Sequence, residues 1–277
     1  MPTIHIGNDL FNICDRGSGP ALLFVHGFPL NHTMWNAQIE EFAATHHVIA
    51  PDLRGFGHSV VTPGVVTMER HADDLVSILD ELGVQQAVYC GLSMGGYIAW
   101  QFARKYSERL AGLVLCDTRA IADAADVREA RFTMAKMAMA AGPATVADAM
   151  LPKLVGRDVK ANRPEIVDAI NAMITTTNVE GIAAALHGMA QRPDMTGSLN
   201  HIAVKTMVVV GEHDEISPAE EMRGIADAIP GSTFVVIPTS GHMAPMENAA
   251  AVNNALRRFL SEPPLRSTES RKSTGSS

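Results

Sequence analysis

The chain has 277 residues, 47% of them hydrophobic and 19% charged, with a net charge of −8. That balance suits one large folded domain, or one with an inserted lid, and excludes a disordered chain. An acidic body lacks the basic footprint that phosphate-backbone binding needs, so nucleic acid is not an expected partner.

Taken in chain order, residues 4–6 and 11–14 read as two short strands around a Gly7-Asn8-Asp9 turn. Residues 21–26, 47–50, 87–90, 113–116, 207–210 and 234–237 are continuous apolar runs ending at turn residues. Runs rich in Val, Ile and Leu are how strands buried on both faces of a parallel sheet read. Between them lie helix patterns at 33–44, 67–82, 94–106, 218–229 and 245–260. Thr67 is suited to cap the second of these and Gly83 to end it. The alternation predicts an α/β fold, a mostly parallel eight-stranded sheet with helices on both faces.

Residues 121–195 break the rhythm. They hold no strand-like run, are rich in Ala and Met, and are punctuated by Pro143, Pro152 and Pro164. A plain crossover needs far fewer residues, so the expectation is an inserted helical cap at 121–195 on a core of 1–120 and 196–260. Met134, Met137, Met139, Met150, Met173, Met189 and Met195 would suit an apolar ligand, because Met adapts to irregular shapes. The last stretch, 261–277, is Pro-, Ser- and Thr-rich and is expected to be disordered.

Cys14, Cys90 and Cys116 lie far apart with no CxxC pair, which argues against a disulfide framework or a zinc site. The segment MPTIHIGNDL has no basic n-region or long apolar h-region, and no apolar run reaches roughly 18 residues. A cytoplasmic protein with no membrane contact is the expectation.

The sharpest motif is GLSMG at 91–95, placed after a strand run and before a helix pattern. A serine on a sharp strand-to-helix turn needs strained backbone angles, and side chains two residues to either side would clash. Gly91 and Gly95 meet that need, so Ser93 is the candidate nucleophile. Serine needs a base. His242, in a loop after the last strand run, is the candidate. The base needs an acid to fix its tautomer. Asp214 lies after the preceding strand run, and Asp117, which also follows a strand, is its serious rival; Glu212 and Glu215 compete as well. His213 reads as a loop residue, His187 as a lid residue, and His26 as a brace for its own loop. The oxyanion donors would be the Met94 amide and, since Pro29 has no N–H, the Phe28 amide. The glycines at 55 and 57 lack phosphate-loop spacing, so Asp52 and Arg54 there read as structural ion-pair residues.

HGFP at 26–29, DLRGFGHS at 52–59, GLSMGG at 91–96, GEHD at 211–214 and GH at 241–242 occur in that order. With these motifs the chain resembles the α/β-hydrolase superfamily over nearly its whole length, to about residue 260. Within it, the chain is similar to small bacterial carboxylesterases, arylesterases, 3-oxoadipate enol-lactonases and cofactor-free perhydrolases. The resemblance implies a serine hydrolase of short to medium carboxylic esters or lactones, acting through Ser93, His242 and Asp214. No metal or organic cofactor is implied; the partner is a small-molecule substrate, with a homo-oligomer open. A perhydrolase using the same triad, a carbon–carbon bond hydrolase and a binding protein stay open as alternatives. Relatives with an aspartate at the elbow, dehalogenases and epoxide hydrolases, differ from this chain at Ser93. Nothing positively charged is obviously placed for a carboxylated substrate, which disfavours oxoadipate enol-lactone, although Arg119, Arg128 and Arg131 could supply the cation.

Overall fold

Strands β1 (Thr3–Ile6) and β2 (Asp9–Arg16) form a hairpin, and β2 pairs antiparallel with β4 (His47–Pro51). The remaining neighbours are parallel: β3 (Ala21–Val25), β5 (Ala87–Leu92), β6 (Leu110–Cys116), β7 (Thr206–Gly211) and β8 (Thr233–Ile237). The lateral order is β1-β2-β4-β3-β5-β6-β7-β8. The computed structural model describes residues 3–262. Every residue of β7, and Leu22, Leu23, Phe24 and Val25 of β3, is buried, because helices cover both faces of the central strands. The expected eight-stranded sheet is therefore present, with β5 running two residues beyond 87–90, up to the residue before Ser93.

Five helices flank the sheet or its ends as expected, with two changes. Helix α1 (Asn36–Phe42) is shorter than 33–44, because a 3-10 turn at His32–Trp35 precedes it, opened by Asn31 Oδ1 accepting from Thr33 N at 3.0 Å. Helix α2 (Met68–Glu81) starts where Thr67 Oγ1 accepts from Arg70 N at 3.2 Å. Helix α3 (Met94–Lys105) follows β5 after the single residue Ser93.

Between β6 and β7 run α4 (Ala125–Ala141), α5 (Ala144–Leu154), α6 (Arg157–Asn162), α7 (Pro164–Thr175) and α8 (Val179–Ala190). They fasten to loops at the carboxyl ends of the strands: Val66 N donates to Ala184 O at 3.1 Å and Thr177 Oγ1 to Pro29 O at 3.2 Å. Met173, Met189 and Met195 are buried, whereas Met137 and Met139 are exposed on α4, so not every Met expected to line the interior does so.

After β7 come α9 (Ala219–Ala228), then β8, α10 (Ala244–Glu247) and α11 (Ala249–Ser261). The single helix expected at 245–260 is split at Asn248, whose side chain accepts from Ala251 N at 3.2 Å and so restarts the helix. Of the tail expected to be disordered, Ser261 closes α11 and residues 263–277 lie outside the described residues.

Candidate active site

Ser93 makes the whole β5-to-α3 turn, with φ 52° and ψ −111°. A non-glycine residue at positive φ is strained by about 1–3 kcal/mol and persists only where its surroundings hold it. Here they do. Ser93 N donates to Cys116 O at 2.9 Å, and Thr118 Oγ1 donates to Ser93 O at 2.8 Å. A Cβ on Gly91 would lie 2.6 Å from Gly95 O, and one on Gly95 would lie 2.4 Å from Val25 O. The two glycines thus answer the steric demand that the motif's spacing expressed.

The loop after β3 lies against this turn: a Cβ on Gly27 would be 3.3 Å from Ser93 Cβ. No group among the described residues accepts from the Phe28 amide. Met94 opens α3, where the N–H has no acceptor within the helix. The two expected donors therefore belong to the residue after Ser93 and to the loop packed against it. The loop is held by His26, whose Nδ1–H donates to Gly27 O at 2.9 Å while its Nε2 accepts from Leu53 N at 2.9 Å. That pairing requires the neutral ring. Burial pushes the His26 pKa down to about 4, which agrees.

His242 and Asp214 come from the loops after β8 and β7. His242 Nδ1–H donates to Asp214 Oδ2 at 2.9 Å, and both side chains are buried. Asp214 Oδ1 accepts from Ile216 N at 2.8 Å and Ser217 N at 3.1 Å, and Oδ2 from Ser217 Oγ at 2.7 Å. Burial alone would push the Asp214 carboxyl up; the His242 charge and the hydrogen bonds of His242, Ser217 and Ile216 outweigh it and hold it below its ordinary value. No hydrogen bond joins Ser93 Oγ to His242 in this structure.

Of the rival acids, Glu212 is exposed and accepts from Thr239 N at 2.9 Å, and Glu215 is exposed. Asp117 is fully buried, has φ 46°, and its Oδ1 accepts from Gly211 N at 2.7 Å. Asp117, Asp214 and His242 offer ligand atoms within 4.8 Å of one another. As a metal site the cluster is poorly suited. The His242 Nδ1 that faces Asp214 carries the proton it donates, and the Gly211 N–H already engages Asp117 Oδ1.

Two of the three candidate cations are engaged, and the third, Arg128, is exposed on α4. Arg119 forms a fork on Glu221 with both bonds at 2.8 Å, and Arg131 pairs with Asp123. Arg192, which the sequence did not single out, also pairs with Asp123 at 2.6 Å and lies over the Tyr97 ring. His187 sits on α8 with Nδ1 3.1 Å from Gly64 O, and His213 is exposed. Asp52 is a brace: it accepts from His32 N at 2.9 Å, His32 Nδ1 at 2.6 Å, Asn12 Nδ2 at 2.7 Å and His58 N at 3.0 Å. Arg54 pairs with Asp74 and Asp9 at 2.7 Å each.

Sequence reasoning also missed Glu247. Its buried carboxylate accepts from Gly156 N at 2.8 Å, Gly241 N at 3.1 Å and Met243 N at 3.0 Å, so it ties the His242 loop to the start of α6. Nothing in the local sequence marks it, since Gly156 is 91 residues away.

The profile of the alpha/beta hydrolase fold family matches residues 20–249, and the chain belongs to that family. A thermophilic esterase from Thermogutta terrifontis, solved with malate bound, is 49% identical, with a TM-score of 0.90 over 91% of this chain and 93% of its own. An enol-lactonase from Burkholderia xenovorans is 26% identical, with a TM-score of 0.88 over 94% of this chain and all of its own. In sequence, a 3-oxoadipate enol-lactonase of Acinetobacter baylyi is 27% identical over 271 residues, 94% of this chain and 98% of its own. No helix among the described residues is long and apolar enough to cross a membrane.

Proposed function

We propose that the protein is a serine hydrolase that cleaves carboxylic esters or lactones of short to medium acyl chain, with Ser93 as nucleophile, His242 as base and Asp214 as its orienting acid. The observation that carries this reading is the 2.9 Å His242–Asp214 bond, at the same carboxyl end of the sheet as the strained Ser93 turn. With the ring proton held on Nδ1 by Asp214, the Nε2 lone pair is free to take a proton.

Ser93 Oγ attacks the substrate carbonyl carbon as its proton passes to His242 Nε2. The carbonyl oxygen becomes an oxyanion facing the Phe28 and Met94 amides, each such donor being worth about 10²–10³ in rate. Collapse breaks the bond to the alkoxy oxygen, which leaves with the proton from His242. Water then attacks the acyl-serine, giving one proton to His242 Nε2; the proton returns to Ser93 Oγ as the acid departs. A lactone follows the same course, the leaving alcohol remaining part of the product acid.

The esterase and enol-lactonase relatives support ester and lactone chemistry, and the insert fastened over the strand ends supports a bounded acyl pocket. Glu221 and Asp123 already engage Arg119 and Arg131, which favours uncharged acyl groups. The test is hydrolysis of p-nitrophenyl acetate through decanoate by wild type and Ser93→Ala. Wild type is expected to peak at short to medium chains and Ser93→Ala to lose at least ~10³ in kcat. Equal activity in both proteins overturns the nucleophile, and a preference rising through decanoate overturns the chain length. Acetate- and peroxide-dependent bromination without ester turnover moves the function to a perhydrolase.

A further inference from the structure

Asp117 is not needed in the steps above, yet it is the most enclosed carboxyl at the site. It follows the last residue of β6 at φ 46°, its side chain is fully buried, and Oδ1 takes the Gly211 N–H at 2.7 Å. Its Oδ2 is buried with no donor directed at it. A carboxylate oxygen in that position would be a solvent-stripped charge without a partner. The carboxyl beside it is that of Asp214, with an oxygen within 4.8 Å of one of its own. Two carboxyls so close in a buried site do not both ionise.

We propose that Asp117 is a positioning residue that, as a neutral carboxylic acid, donates a hydrogen bond from Oδ2 to the Asp214 carboxylate and so fixes which of the two carboxyls carries the charge beside His242. The orphaned oxygen is then the one that bears the proton, and its donor role satisfies it. The proposal deepens the serine-hydrolase reading and rests on Asp214 and His242 as its acid–base pair.

The surroundings agree. Burial pushes the Asp117 carboxyl well above the carboxylate range, Asp214 and Cys116 push the same way, and the Gly211 N–H opposes them. Asp214 lies on the other side of its ordinary value, held down by His242, Ser217 and Ile216 against the effect of burial. The titratable groups around Asp117 are Asp214 on the loop after β7, His242 on the loop after β8, and Cys116 on its own strand with Cys90 of β5 behind it. The hydrogen bond with Cys90 and burial keep the Cys116 thiol neutral, so it adds no charge. The cluster therefore holds one negative charge. A second would strengthen proton binding by His242 and leave the ring protonated when it must accept from Ser93. By donating to Asp214, Asp117 also spreads that single charge and weakens its pull on the imidazolium.

Asp117→Asn retains both functions in the same shape: the amide oxygen accepts from Gly211 N and the amide nitrogen donates to Asp214. Asp117→Ala removes both. With p-nitrophenyl butyrate, Asp117→Asn is expected to keep kcat/KM close to wild type, with the acid limb of its pH profile unmoved. Asp117→Ala is expected to lose about 10- to 100-fold, the loss of one hydrogen bond to a charged group, and to shift the acid limb to higher pH. A residue that only fills space would not move that limb. Infrared spectroscopy reads the proton directly: a protonated-carboxyl stretch at neutral pH is expected in wild type and absent in Asp117→Asn. Loss of activity in Asp117→Asn as deep as in Asp214→Asn overturns the proposal, since Asp117 would then be the ionised acid. An unmoved acid limb in Asp117→Ala, or no band assignable to Asp117, overturns it too. So does failure of Asp117→Asn to fold while Asp117→Ala folds. The infrared result does not depend on turnover, so failure of the hydrolase reading, seen as full activity in Ser93→Ala, is distinct from failure of this one.

Discussion

His71, on α2 close to His26, is fully buried, and neither of its ring nitrogens has a hydrogen-bond partner among the described residues. Burial is the main force that holds its pKa down to about 3, and His26, Arg54 and Arg70 add to it. In the unfolded chain the same ring titrates near 6.5. The folded value is the lower one, so the stability His71 contributes is complete above pH 6.5 and is lost as pH falls toward 3. At pH 5 the unfolded ring is almost fully protonated and the folded ring is not, which costs about 2 kcal/mol; at pH 7 the cost is about 0.2. His26, held near 4, adds a further loss of about 2 kcal/mol at pH 5. Wild type should therefore lose about 4 kcal/mol through these two rings between pH 7 and pH 5, and His71→Leu about half of that.

At pH 7 the leucine also removes two unpaired buried nitrogens, a gain of about 1–3 kcal/mol, against a shape mismatch of up to about 1.5 kcal/mol. Urea unfolding followed by circular dichroism at both pH values checks this. The decisive quantity is each protein's change between the two pH values, in which packing effects cancel. An equal change in wild type and His71→Leu would refute the claim that this ring is held neutral.

Asp214→Asn should lower kcat on p-nitrophenyl butyrate by about 10³–10⁴ with little change in melting temperature, because the amide would donate to Nδ1 and move the ring proton to Nε2. Glu247→Gln turns an NH₂ toward the Gly156 or the Met243 amide and leaves one buried donor unpaired. At about 1–3 kcal/mol, calorimetry should show melting about 3–10 °C lower. Gly95→Ala places a Cβ 2.4 Å from Val25 O, a backbone atom of β3 that cannot yield, so the variant should show no cooperative unfolding transition by circular dichroism.

The sheet was legible because its central strands are buried on both faces and read as unbroken apolar runs. The helix pattern at 33–44 was misjudged at its start and that at 245–260 in its interior. In each case an asparagine side chain, Asn31 or Asn248, accepts a nearby backbone N–H and resets the chain, and hydrophobic periodicity does not register such a cap. The Ser93 turn announces itself because its steric demand is met locally, by glycines two residues to either side. Asp214 and Asp117 both follow strands, and their difference depends on lateral strand order and side-chain reach. Only coordinates show that His242 bonds Asp214 while Asp117 bonds Gly211.

The loops at the carboxyl ends of the strands share one physical problem. Their backbone N–H groups are buried but have no neighbouring strand to accept from them. In this protein polar side chains accept in the strand's place: His26 from Leu53, Asp52 from His32 and His58, Asp117 from Gly211, Asp214 from Ile216 and Ser217. Glu247 does the same for Gly156, Gly241 and Met243. Each brace ties two segments at once, so a change in one loop is passed to the next. The loops that carry the candidate chemistry are therefore the least free to vary. The insert from α4 to α8 meets them at a few points, chiefly Gly156, Thr177 and Ala184. Between those points the insert can vary without breaking a brace.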